Sequence, residues 1–379
     1  RRLRCSAMEV RALIWSCFAM RDRFVLPHAA AVILAVLLVA DGRAAPPSIN
    51  SLATNTAFTP REQQSIQTYA TYWVEQLAVG NENPQTVRTA RRRLLDPLRG
   101  DLASAMFLDQ YGRRIIPLLE DVIAEGNPHV SSNALIVLSQ MGTGDALNAL
   151  LERANVRQEP RTEIRLRAAR GCRDVFQSES LKTVSSRMIT PAARRLRDAA
   201  RGETHPLILR HQLEAILAAD QPHIDPQQRV QIRECLVEAL MATAERAIEA
   251  PPDAEPGGME FFEATYPALI EARDLYLRLD LSAQQQFGKQ IGPTLGQLLE
   301  IPSAQWQTGQ NAPRCKEQCG KIIHLCERFL TTLDSFVRAT GGSSPPDTDL
   351  RSAWESNNRE QYGEHLRQWT GILQRKPYE

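Results

Sequence analysis

The sequence predicts an all-α protein: an N-terminal leader, a short helical-repeat array and a C-terminal helical bundle. Three observations predict this. Apolar side chains recur every third or fourth position over most of the chain, as on the buried face of a helix. Pro repeatedly stands just after a polar residue where such a pattern begins, as at Thr59-Pro60, Asn83-Pro84, Asn127-Pro128 and Asp225-Pro226. Pro suits the first helical turn because its missing N–H would be unpaired there anyway. No run of alternating apolar and polar residues lies between turn signals, so no sheet is expected. A hydrophobic content of 43% and a charged content of 23% are those of a globular chain.

Residues 1–43 carry a leader pattern. Met20 is followed by Arg21 and Arg23, then by an apolar run from Ala29 to Ala40, then by small residues at Gly42, Ala44 and Ala45. A basic start, an apolar centre and a small-residue cleavage region make up a secretory signal peptide. The expected start is Met20, with cleavage near 42–44 and export to a periplasmic or extracellular space. The apolar run is shorter than the ~20 residues a spanning helix needs. Charged residues interrupt every later apolar stretch, so no transmembrane span is expected after cleavage.

Residues 44–58 are rich in Pro, Ser, Asn and Thr and are expected to be a flexible lead-in. Helix signals then begin at Thr59-Pro60-Arg61-Glu62, a capping box with Pro at the first helical position. Ile66, Tyr69, Trp73 and Leu77 follow at helical spacing.

A weak internal repeat runs through the next part. Ala90 and Leu94 behind Asn83-Pro84 match Ala134 and Leu138 behind Asn127-Pro128, 44 residues on. Ile164, Ala168 and Cys172 match Val130, Ala134 and Leu138 at a step of 34. Ile208, Leu213 and Ile216, behind His205-Pro206, match Val130, Leu135 and Leu138 at a step of 78. The mean step of about 39 falls among helical-hairpin repeats. The segment from Asn127-Pro128 through Val130, Ala134-Leu135, Leu138, Gly142, Ala146-Leu147 and Leu150-Leu151 resembles a HEAT repeat. Ile164 to Ala169 is similar, with Arg165 where that family favours Arg. The resemblance covers roughly 83–250 and implies a HEAT-like, right-handed α-solenoid that binds protein. It implies no enzyme activity.

The array is expected over 59–250. The cluster Pro251-Pro252-Asp253-Ala254-Glu255-Pro256-Gly257-Gly258 is the expected linker, and 259–379 the C-terminal helical region. Helices are expected there at 259–280, 283–299, 314–340 and 358–374, with a Ser282/Gln285 capping box on the second and polar loops at 301–313 and 341–349.

Chemistry-bearing motifs are sparse. Cys315, Cys319, His324 and Cys326 are metal-ligand types, but the three cysteines share a stripe with Ile322, Phe329, Leu333 and Phe336 at steps of four and three. That stripe is expected to be core, because free Cys packs as a small hydrophobe. Five cysteines follow the leader, and the odd number leaves one unpaired. There is no H-E-x-x-H, G-x-S-x-G, P-loop or G-x-G-x-x-G. No catalytic residue, metal site or cofactor is predicted. The aromatics Tyr69, Tyr72, Trp73, Phe261, Phe262 and Tyr266 are expected to pack rather than to line a pocket.

Charge divides the chain. Residues 88–210 hold 21 basic and 14 acidic side chains, net +7; residues 211–379 hold 16 and 24, net −8. Arg supplies nearly all of the basic excess, and its planar fork binds carboxylates and phosphates. Arg91, Arg92, Arg93, Arg165, Arg167 and Arg170 are the expected partner-binding face. The expected function is that of an exported, non-catalytic binding or scaffold protein holding a protein or anionic partner. Self-association through the acidic half is a further option. The alternative is an enzyme or a metal or cofactor carrier using the Cys315–Cys326 helix. Nucleic acid is not expected, since no aromatics interleave with the Arg clusters to stack on bases.

Overall fold

Many helix starts in this chain are set by side chains that accept from the first free backbone N–H groups. Thr59 caps α1 (Pro60–Val79) in a full capping box with Glu62, as its spacing predicts. Asn83 caps α2 (Pro84–Leu95), Ser104 caps α3 (Ala105–Glu125) and Asn127 caps α4 (Pro128–Met141). At the end of α4, Gly142 adopts φ 63°, a left-handed conformation that costs glycine little. α5 (Gly144–Arg153), α6 (Thr162–Gln177), α7 (Ile189–Gly202), α8 (Pro206–Ala218) and α9 (Pro226–Glu249) follow. The C-terminal part holds α10 (Gly258–Arg278), α11 (Leu281–Ala304), α12 (Trp306–Asn311), α13 (Pro313–Val337), α14 (Leu350–Glu355) and α15 (Arg359–Leu373).

This computed structural model describes residues 44–379 apart from 81–82, 100–102, 179–185, 252–253, 338–345, 376–377 and 379. The leader features at Met20 and Ala29–Ala40 lie outside the described residues. Among the described residues the α-helices are joined by turns and short 3-10 segments, with no strand. No helix among them is long and apolar enough to cross a membrane.

The helices of residues 48–379 pack in two layers. In one layer α1, α3, α5, α7, α9 and α11 each contact the next. In the other, α2, α4, α6, α8, α10 and α13 do the same. Sequential neighbours pair across the layers: α1 with α2, α3 with α4, α5 with α6, α7 with α8, α9 with α10 and α11 with α13. α14 and α15 then fold back, α14 on α13 and α15 on α11. Every apolar residue matched between the repeated segments is fully buried. Ala90, Ala134 and Ala168 are at 0% exposure, as are Val130, Ile164 and Ile208 and, one turn further on, Leu94, Leu138, Cys172 and Ile216. The small Ala allows close helix approach while the larger residues fill the shared core.

Four details depart from expectation. Residues 44–58 are not wholly free: Ile49 and Ala53 are buried in the core, and Ala53 O accepts from Ser104 N at 2.8 Å. The 251–258 segment joins two helices, α9 and α10, that pack on each other within one stack. The approach is tight, and a Cβ at Gly258 would collide with the Ala247 carbonyl oxygen. The cap of α11 is Asp280, whose side chain accepts from Ala283 N, rather than Ser282. A carboxylate there meets the positive end of the helix dipole, which a hydroxyl cannot match. Finally, α12 arises inside the 301–313 segment expected to be a loop, and α14 between the expected loop at 341–349 and the expected helix at 358–374, where burial of Trp306 and Trp354 outweighs local preference.

Candidate functional site

The repeat places polar residues one step apart beside each other on α2, α4, α6, α8 and α10. Arg91 on α2 donates from Nη1 to Asn133 Oδ1 on α4 at 2.8 Å. Arg170 on α6 donates from Nε to His211 Nε2 on α8 at 2.9 Å. That bond puts the ring proton on Nδ1, which lies 2.8 Å from Glu214 Oε2. Glu214 also accepts from Arg173 at 2.7 Å and from Arg210 at 2.9 Å. Burial alone would raise the Glu214 carboxyl, but hydrogen bonds from His211 and Arg210 bring it down to about 2. Glu271 on α10 extends the seam. Its carboxyl is pushed up by burial first and by the charge of Glu214 second.

Arg167 sits in this seam without a mate. It is half-buried, its Nε is shielded from solvent, and that atom has no hydrogen-bond partner among the described residues. Burial pulls its guanidinium below the usual range; Asp174 opposes this, and the neighbouring charges of Arg170 and Arg91 add to it. Two of the other expected residues, Arg91 and Arg170, are therefore within electrostatic reach of Arg167.

The other three do not join them. Arg92 is exposed. Arg93 turns toward α1, with its guanidinium 5.8 Å over the Trp73 ring and 3.6 Å from Asp96. Arg165 is 3% exposed and is no surface residue at all. It grips Glu203 through two bonds of 3.0 Å and donates to the carbonyls of Glu159 and Pro160. Glu203 in turn accepts from Thr204 N and His205 N, in the turn that leads into α8. With both partners fully engaged, this pair ties α6 to α8 and leaves nothing to offer a ligand.

Asn133, His211, Glu214 and Glu271 were not anticipated. One signal does point to them. Arg170–His211 and Arg173–Glu214 are 41 residues apart and Arg91–Asn133 is 42, close to the repeat step. An Arg with an acceptor one repeat downstream is a cross-helix pair.

The cysteine stripe is core over most of its length. Cys319, Ile322, Cys326, Phe329 and Leu333 are buried, whereas His324 is exposed and the terminal Cys315 is only half-buried. Burial pushes the Cys326 thiol well up. The structure brings neither His324 nor Cys326 to Cys315 and Cys319. It brings Glu263 from α10 instead. The two sulfurs are 3.7 Å apart. The Cys319 thiol is pushed up by its hydrogen bond with Cys315 and then by burial, and the Glu263 carboxyl is pushed up by burial.

Most of these aromatics pack on neighbours, although Phe261 also lines a surface cleft of about 610 Å³ beside Arg246. Tyr69 and Phe262 are buried, and Tyr72 and Trp73 meet edge to face at 4.9 Å. No family model and no curated protein matches this chain.

Proposed function

We propose that this chain is an exported, non-catalytic binding or scaffold protein. In this reading it is a HEAT-like α-solenoid, closed by the helices after α11, and it holds an acidic partner on the face of α2, α4, α6 and α8. The two-layer order of helix pairs supports the solenoid reading. One observation carries the binding reading: Arg91 on α2 and Arg167 and Arg170 on α6 gather positive charge, and the buried Arg167 Nε lacks an acceptor among the described residues. A carboxylate from a partner would pair with this clustered positive charge through the half-buried Arg167 guanidinium. The absence of catalysis is inferred from the seam itself. Its one His–Glu pair, His211 with Glu214, is enclosed by Arg170, Arg173 and Arg210, so both members are already engaged by neighbouring cations.

A fluorescent poly-glutamate peptide titrated into the mature chain tests this. The intact chain should bind it, and R91Q/R167Q/R170Q should bind about tenfold or more weakly. Binding should also weaken as salt rises, since the contact is ionic. Equal affinity in the variant, or no effect of salt, would remove the Arg face from the account. N-terminal sequencing of the protein from its native source tests export: the first residue should fall just after 42–44.

A further inference from the structure

We propose that Glu263, Cys315 and Cys319 form a binding site for a thiophilic divalent cation of the zinc class. The site is independent of the Arg face. Cys315 is the third residue of α13 and Cys319 lies one turn on, so both side chains leave the same side of the helix. Glu263 approaches from α10, and one donor atom from each of the three residues lies within 4.8 Å of the others.

The spacing suits a metal better than a disulfide. Tetrahedral zinc bonds sulfur at about 2.3 Å, which sets a sulfur–sulfur edge of about 3.8 Å. The observed separation is 3.7 Å. With an oxygen bond of about 2.1 Å, the sulfur–oxygen edge is about 3.6 Å, inside the 4.8 Å within which the three donor atoms lie. A disulfide instead needs Cβ atoms about 3.5–4.5 Å apart. Residues four apart on a helix hold them at about 5–6 Å, so a bond between Cys315 and Cys319 would distort the first turns of α13.

Binding involves no oxidation. Each thiol loses its proton to the buffer as its S–H bond is replaced by a sulfur–metal bond, and the Glu263 carboxylate supplies the third ligand. Two thiolates and a carboxylate around a divalent ion leave one net negative charge, and a water completes the tetrahedron. Glu263 also lines a surface cleft of about 530 Å³ bordered by His205, Arg210 and Glu260, which gives the ion a way in. The ion would pin α10 to α13, two helices that already pack on each other.

The test is a titration of the reduced, metal-free full chain with Cd2+, followed by the ultraviolet thiolate-to-cadmium charge-transfer band. One equivalent should saturate the band. C315S/C319S should abolish it, E263Q should weaken binding by about tenfold or more, and C326S should retain it. Circular dichroism checks that each variant is folded. The unmodified chain gives a second readout: bound Zn2+ should protect two thiols from alkylation, both mapping to the peptide that spans 313–326. No band, a band that survives in folded C315S/C319S, protection mapping elsewhere, or a Cys315–Cys319 disulfide in protein isolated from its native source would each overturn the site.

Discussion

The middle of the molecule, α5 to α9, and its C-terminal end, α11 to α15, stack helices in the same way but are tied together by different forces. The middle uses charge. Arg165 grips Glu203, Arg161 grips Glu159, Arg173 and Arg210 grip Glu214, and Arg233 grips Asp220, each with a carboxylate that is almost wholly buried. The end uses aromatic rings. Trp306, Trp354 and Tyr362 meet at centroid distances of 4.9 to 6.3 Å, and their polar tips are satisfied: Trp354 by Lys316 O, Tyr362 by Leu299 O and Trp306 by Asn357. One two-layer helical stack thus accepts either solution. The choice fixes what each part responds to, because ion pairs titrate and rings do not.

The carboxylates shielded by the packing follow the same division. Hydrogen bonds from Arg161 bring Glu159 down against the opposing effect of burial, and Glu214 falls likewise. In the C-terminal part Glu300 and Glu327 are both pushed up, with burial as the largest cause. Glu327 caps α14 through Leu350 N and also accepts from Thr348. A lowered carboxyl stabilises the fold above its unfolded value and loses that contribution as pH falls. A raised one has the opposite sign and gains as pH falls. Acid should therefore loosen the middle before the end.

The largest expected effect is at the end. Trp354→Ala should cost about 3–5 kcal/mol, with roughly 1 kcal/mol more for the abandoned Lys316 carbonyl. Urea unfolding should show the loss unchanged by salt. In the middle, Arg165→Gln should cost about 3–5 kcal/mol, since it strands the Glu203 charge inside. A loss below about 1 kcal/mol in the same assay would place Arg165 back on the surface. Cys326→Ser should cost about 1–3 kcal/mol by burying an unpaired hydroxyl, read from thermal melting. Glu214→Gln removes a carboxyl that titrates at 4.5 when free and at about 2 in the fold. The intact protein should lose that contribution as pH drops from 4.5 toward 2, and the acid-unfolding curve of the variant should be flatter over the same window. Arg92→Gln should change stability by no more than about 0.5 kcal/mol, because Arg92 is exposed.

Much of the fold was legible because burial repeats with the helix. The matched Ala, Leu and Ile positions all proved to be core, and Thr59 caps as its spacing predicts. The candidate site was only half legible. An Arg looks the same in sequence whether it faces solvent, as Arg92 does, or a buried acid 38 residues away, as Arg165 does. Glu263 shows no sign in sequence of its approach to Cys315, since only the packing of α10 on α13 brings them together. The six-residue helices α12 and α14 escape for a related reason: too short to hold alone, they exist because their tryptophans are buried.

The most direct test of the charge-versus-ring contrast is pulsed hydrogen exchange after incubation in acid. The chain is held at pH 3, labelled briefly at one fixed pH, and read peptide by peptide by mass spectrometry. Peptides from residues 144–249 should lose protection while those from 281–373 keep theirs. Equal loss in both regions, or earlier loss in the C-terminal one, would contradict the account.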